Sequence, residues 1–231
     1  MYLVKLMMNK KKIFIAVDTS SVSRAKKIIR DTQTKKIELG YKFGLEFFYS
    51  KDGRKFLSSL KNHKIFLDLK LNDIPNTVSS AMKSLKNLKI AYLTVHISSG
   101  LNALKVLKRE SKNVKIAGVT TLTSLNDKDL KEIGYIKKVN ELVKHQARLA
   151  KKAKLDAIIC SGHEIRLVKS VFKKEIITPG IKMQNIKNDQ KRIMKPNEAF
   201  AAGSDWLVIG RSVTKGNIKK NIQNLLKILE D

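Results

Sequence analysis

Residues 65–87 read IFLDLKLNDIPNTVSSAMKSLKN, and three pieces follow one another within them. The run 65–69 is short, apolar and β-rich. The segment Leu71-Asn72-Asp73-Ile74 breaks the apolar pattern with polar residues. From Pro75 onward the spacing turns amphipathic and predicts a helix over 76–87. Pro75 suits a first helical turn, because its φ is already fixed there and its missing N–H costs no bond. The stretch is a strand, a polar junction and a helix.

The same rhythm recurs on both sides. Strands are expected over 13–17, 37–43, 65–69, 90–95, 114–119, 157–160, 175–178 and 206–209. Helices are expected near 21–31, 52–61, 76–87, 101–110, 139–153, 163–171, 196–202 and 218–229. Continuous apolar runs suit strands buried on both faces, hence a parallel sheet. Eight such units in 231 residues is the count for an α/β fold of the (β/α)8 TIM-barrel class in a single domain. A doubly wound open sheet is the alternative, but Val17-Asp18-Thr19-Ser20-Ser21 carries no glycine-rich dinucleotide fingerprint after the first strand. The expected division is an N-terminal extension over 1–12 and a barrel over 13–231.

Composition narrows the function classes. Hydrophobic residues make up 42%, ordinary globular usage. A single cysteine, Cys160, excludes an internal disulfide framework and a Cys-cluster metal site. No apolar run approaches the roughly 20 residues needed to span a bilayer, and the N-terminal run is short and broken by Lys5, a poor signal peptide. No membrane association and a cytoplasmic location are expected. The net charge of +28 raises nucleic acid as a partner. The lysines, however, are spread along nearly every segment, with no recognition arm and no aromatic series for base stacking. The charge therefore reads as a solvated surface, and no specific nucleic acid is expected.

In a barrel of this class the chemistry sits at the carboxyl ends of the strands, and those junctions are unusually polar here. The first strand ends at Asp18, the second holds Lys42, the fourth ends at His96 and the fifth runs into Thr120-Thr121-Leu122-Thr123-Ser124. At the third junction, residues two apart share a face, so Asp68 and Lys70 project together while Leu67 and Leu69 face the other layer. Asp73 follows just beyond. Acids and bases alternating in this way keep one another ionised in a desolvated pocket. At the last two junctions, Gly180 admits close backbone approach and Arg211 offers a planar fork for an anion. These two are expected to hold a phosphate. The polar stretch 180–192 suits a loop that closes over ligand. His96 reads as a strand-end hydrogen-bonding residue, Cys160 as a core thiol and Trp206 as packing.

At these residues the chain resembles the orotidine 5′-phosphate decarboxylase family. The matching segments include Ile15-Ala16-Val17-Asp18, Lys42-Phe43-Gly44-Leu45-Glu46, Asp68 through Thr77, Leu122-Thr123-Ser124, Thr178-Pro179-Gly180-Ile181, Asn188-Asp189-Gln190 and Val208-Ile209-Gly210-Arg211-Ser212. The Asp-x-Lys-x-x-Asp core alone is shared with a wider sugar-phosphate group. The Ile-Pro-Asn-Thr, Leu-Thr-Ser and Pro-Gly-Ile segments point to the orotidylate branch.

The resemblance implies loss of CO2 from orotidine 5′-phosphate (OMP) to give UMP in de novo pyrimidine synthesis, by a homodimer of barrels with no cofactor and no metal. It further implies Lys70 as proton donor to C6 of the pyrimidine and Asp68 against the scissile carboxylate. Lys42 and Asp73 would complete the charged array, with Asp73 and Thr77 reaching the ligand of the neighbouring subunit. Asp18 would contact the ribose, Ile74 the substrate, and Thr123 and Ser124 the pyrimidine. Lys182, Gln190, Gly210 and Arg211 would form the phosphate end. The family usually has Arg where Lys182 stands, so the charge is kept and the bidentate fork is lost. Asn72 replaces a common His. The competing readings are a Mg-dependent sugar-phosphate decarboxylase or aldolase of the wider group, and a non-catalytic basic barrel that binds nucleic acid.

Overall fold

The eight apolar runs pair edge to edge, all parallel, in the order β1-β2-β3-β4-β5-β6-β7-β8, and β8 closes on β1. The computed structural model describes residues 10–183 and 194–230. The strands are β1 (Lys12–Ala16), β2 (Glu38–Gly44), β3 (Lys64–Leu71), β4 (Tyr92–His96), β5 (Lys115–Val119), β6 (Ala157–Ile159), β7 (Glu175–Thr178) and β8 (Trp206–Ile209). Each expected strand is present. The first begins at Lys12, one residue inside the expected extension; residues 1–9 lie outside the described ones.

Helices cover the outside. They are α1 (Val22–Thr32), α2 (Leu45–Phe48), α3 (Gly53–Ser59), α4 (Pro75–Ser84), α5 (Gly100–Glu110), α6 (Asp127–Glu132), α7 (Val139–Lys152), α8 (Ile165–Val171), α9 (Pro196–Ala202), α10 (Arg211–Thr214) and α11 (Ile218–Glu230). Helix α1 shows why they dock. Ser21 caps its start by accepting from the Arg24 N–H, and Ala25, Ile28, Ile29 and Thr32 recur at helical spacing on its buried face. Pro75 stands in the first turn of α4, as its sequence position suggests. Helices α2, α6 and α10 were not expected. Two of them are four residues long, too short to show a period.

The period of two along the strands builds two apolar layers. Residues such as Ile13, Ile15, Leu67, Leu93 and Ile116 face outward and pack under the helices. Phe14, Phe66, Tyr92, Ala117, Ala157, Ile177 and Trp206 fill the bore. There the Phe14 and Trp206 rings stack with centroids 4.1 Å apart, and Phe66 meets Phe14 edge-on at 5.0 Å. Gly40 makes this plug possible. A Cβ at that position would lie 2.5 Å from the Phe14 ring. The large rings close the lower bore, while Ala16 and Val208 leave space above them. The cavity opens at that upper, carboxyl-terminal end.

Candidate active site

A cavity of about 440 Å³ lies at the strand carboxyl ends, within the size range of small-ligand sites. Its lining includes Asp18, Lys42, Asp68 and Lys70 on one side, Thr121, Leu122 and Thr123 beyond β5, and Gly180, Lys182, Gly210, Arg211 and Lys215 on the other. Counted among these residues, five cations (Lys42, Lys70, Lys182, Arg211, Lys215) face two carboxylates (Asp18, Asp68).

The charged side is built along inward positions of β1 to β3. Lys70 Nζ donates to Asp68 Oδ2 at 2.8 Å. Lys42 Nζ sits 3.7 Å from the same oxygen and donates to Asp18 Oδ1 at 3.1 Å. Asp68 is thus the shared anion between two ammonium groups, and its side chain is 11% exposed. Burial pushes its carboxyl upward. The charges of Lys42 and Lys70, with bonds from Lys70 and Thr94, outweigh that and hold it below the ordinary carboxylate value. Asp68 therefore stays ionised in a site where an isolated buried acid would neutralise.

Lys70 has left-handed backbone, φ +49°, a conformation that costs an L residue roughly 1–2 kcal/mol. The cause lies in the β3–β4 pairing. Leu67 pairs with Leu93, yet the next pair is Leu71 with Val95, so β3 carries two more residues than β4 across the interval. The extra length lets the end of β3 turn while Lys70 and Asp68 stay side by side. Strain of this kind is concentrated at functional positions.

The opposite wall is suited to an anion. Gly180 has φ +77°, which L side chains rarely adopt. Lys182 is 8% exposed, and its N–H donates to the Met194 carbonyl at 3.1 Å. Gly210 precedes Arg211, and a Cβ there would meet Ala16 and Asp18 Oδ2 at 3.5 and 3.6 Å. Gln190 and most of the proposed closing stretch lie outside the described residues.

Not every expected residue meets in this cavity. Asp73, Ile74, Thr77 and Ser124 are exposed and are not part of its lining. Asp73 Oδ1 accepts from the Ile74 N–H at 2.7 Å, and Ile74 is 66% exposed. His96 ends β4 half-buried; burial, with Lys70 beside it, lowers its pKa against the opposing pull of Asp68. Cys160 is buried and lines the cavity floor, and burial pushes its thiol up. Trp206 packs in the bore.

Lys215 lines the cavity without having been singled out, Thr121 of the fifth junction lines it without having been given a role, and Thr94 touches both Asp68 and Lys70. Lys215, four residues after Arg211, is hidden among so many lysines. Thr94, inside an apolar strand, looks like core. Among the described residues no group of three or more His, Cys, Asp or Glu side chains could hold a metal ion.

Residues 11–222 match the model of the "Orotidine 5'-phosphate decarboxylase / HUMPS family". The chain belongs to this family. An orotidine 5′-phosphate decarboxylase of Carboxydothermus hydrogenoformans is 38% identical over 215 residues, 87% of this chain and 88% of that protein. One from Wolbachia pipientis is 41% identical over 197 residues, covering 82% of this chain and 87% of the relative. The crystal structure of the Lactobacillus acidophilus enzyme superposes with a TM-score of 0.82 at 28% identity, covering 96% of this chain and all of that one. Family membership and the eight-stranded closure agree on the barrel and remove the open-sheet alternative.

Proposed function

We propose that this protein decarboxylates OMP to UMP in pyrimidine biosynthesis, as a carboxy-lyase whose own charged side chains do the chemistry. The observation that carries this reading is the shared carboxylate of Asp68 between the ammonium groups of Lys42 and Lys70, at the mouth of a cavity with an excess of cations. OMP brings a carboxylate and a phosphate of about −1.5 to −2 charge, which suits an excess of three positive charges. The family membership and the names of the relatives support the same activity.

The reaction breaks the bond from C6 to the carboxylate carbon. CO2 leaves, the electron pair stays at C6, and a proton takes its place. Lys70 is the assigned donor: its ammonium stabilises charge developing at C6 and then gives up its proton. Solvent reprotonates it. Asp68 sits against the departing carboxylate and keeps Lys42 and Lys70 charged and aimed. Asp18 takes the ribose and Thr123 the pyrimidine, while Ser124 stays outside the cavity lining. Lys182, Gln190, Gly210 and Arg211 grip the phosphate, whose remote binding energy raises the rate at C6.

The functional unit in this reading is a cytoplasmic homodimer of barrels spanning 13–231. Asp73 and Thr77 serve the ligand of the neighbouring subunit, a role that fits their exposure away from their own cavity. The Mg-dependent sugar-phosphate reading has no specific observation in its favour. The test is the decay of OMP ultraviolet absorbance with purified protein in EDTA, with UMP identified as product. Rapid conversion is expected. Folded protein that leaves OMP intact would overturn the reading.

A further inference from the structure

The β3–β4 irregularity leaves a problem that one side chain solves. The left-handed turn at Lys70 takes its backbone N–H out of the regular pairing with β4. Thr94 Oγ1 accepts that N–H at 2.6 Å. The same hydroxyl donates to Asp68 Oδ1 at 3.1 Å. Thr94 is fully buried, so water does not substitute for it. One hydroxyl thus ties down the backbone of Lys70 and the free oxygen of Asp68, whose other oxygen holds Lys70 Nζ at 2.8 Å.

We propose that Thr94 is a positioning residue for decarboxylation, setting the Lys70 backbone turn and the Asp68 carboxylate so that the ammonium of Lys70 is aimed at C6. This assignment rests on the decarboxylase reading above. Thr94 does not line the cavity and is given no contact with substrate. A threonine there for packing alone would be replaced without loss by valine, which has nearly the same shape. Valine instead leaves the half-buried Lys70 N–H without an acceptor and one oxygen of the buried Asp68 carboxylate without a donor, both of which are costly.

The experiment compares kcat and KM for OMP in wild type, Thr94→Val, Thr94→Ser and Thr94→Ala, with thermal melts as a check on folding. Thr94→Val should lose about 30-fold or more in kcat, with KM within about threefold of wild type. Thr94→Ser should stay within about threefold of wild type in both constants, since it keeps the hydroxyl. If Thr94→Val does not fold, the ratio of kcat between Thr94→Ser and Thr94→Ala reads the hydroxyl instead, and about 10-fold or more is expected. An active Thr94→Val, or a serine variant as slow as the alanine one, would overturn the assignment while leaving the decarboxylase reading standing. Wild-type protein inert toward OMP would overturn both.

Discussion

Both ends of the barrel bore carry lysines and carboxylates, but they are wired differently. At the amino-terminal end each carboxylate has its own lysine. Lys64 bonds Glu38, and Lys115 donates to Glu175 at 2.9 Å. Glu175 also accepts from the Tyr92 hydroxyl at 2.8 Å. Lys64 and Lys115 rest over the faces of Trp206 and Tyr92, 5.0 and 5.3 Å from the ring centroids. The rings fill the bore beneath them. At the carboxyl-terminal end two lysines converge on one buried carboxylate, and three more cations stand across an open cavity. The first arrangement gives each carboxylate a partner and closes a hole. The second sets five cations against two carboxylates around open space and holds a key residue in strained backbone. The same residue types make a plug at one end and a reactive site at the other, because pairing and free space differ.

The largest break in that comparison is expected at Lys70. Lys70→Ala should lower turnover of OMP by about 10^4-fold or more, since it removes both the proton donor and its charge. Calorimetric affinity for UMP should change little. A loss of affinity as large as the loss of rate would make Lys70 a binding residue.

Asp68→Asn comes next, with turnover down about 10^2- to 10^3-fold as the two lysines lose their common anion. It also carries a pH signature. The folded carboxyl titrates below its ordinary value, so the unfolded chain binds more protons on acidification. The stability this group contributes is fully present above the ordinary carboxylate pKa of about 3.9, and it is lost as pH falls through the lower folded value. Urea melts from pH 7 downward should show a shallower acid-side loss of stability in Asp68→Asn than in wild type. Parallel curves would contradict the ion array.

Smaller effects sharpen the comparison. Lys182→Arg supplies a bidentate fork in place of a single ammonium and should lower KM by about two- to fivefold with kcat nearly unchanged. Glu175→Gln perturbs only the plug. It should leave kcat/KM within about twofold of wild type and lower the melting temperature by about 2–4 °C.

The parts legible in the sequence are those that depend on one strand or one helix at a time. Asp68 and Lys70 share a face because a strand has a period of two, and they do meet at 2.8 Å. Pro75 marks the start of a helix because its ring already has helical φ. What escaped depends on two strands at once or on very short pieces. The β3–β4 irregularity exists only in their relative register, and without it Thr94 is one more residue in a buried strand. Helix α6 had a readable signal in its capping box, Asn126 with Asp129, overlooked among polar loop residues. The rim residues Asp73 and Thr77 were legible as a motif but do not line the cavity of their own chain, since a motif gives residue types and spacing and not the direction in which the chain turns after the strand.

The most direct test runs OMP progress curves side by side for wild type, Lys70→Ala and Glu175→Gln, with circular dichroism confirming that all three are folded. Conversion to UMP by wild type and Glu175→Gln, with none detectable from Lys70→Ala, is the predicted result. A folded Lys70→Ala that still converts OMP at a rate near wild type would contradict the assignment of the chemistry to the carboxyl-terminal array.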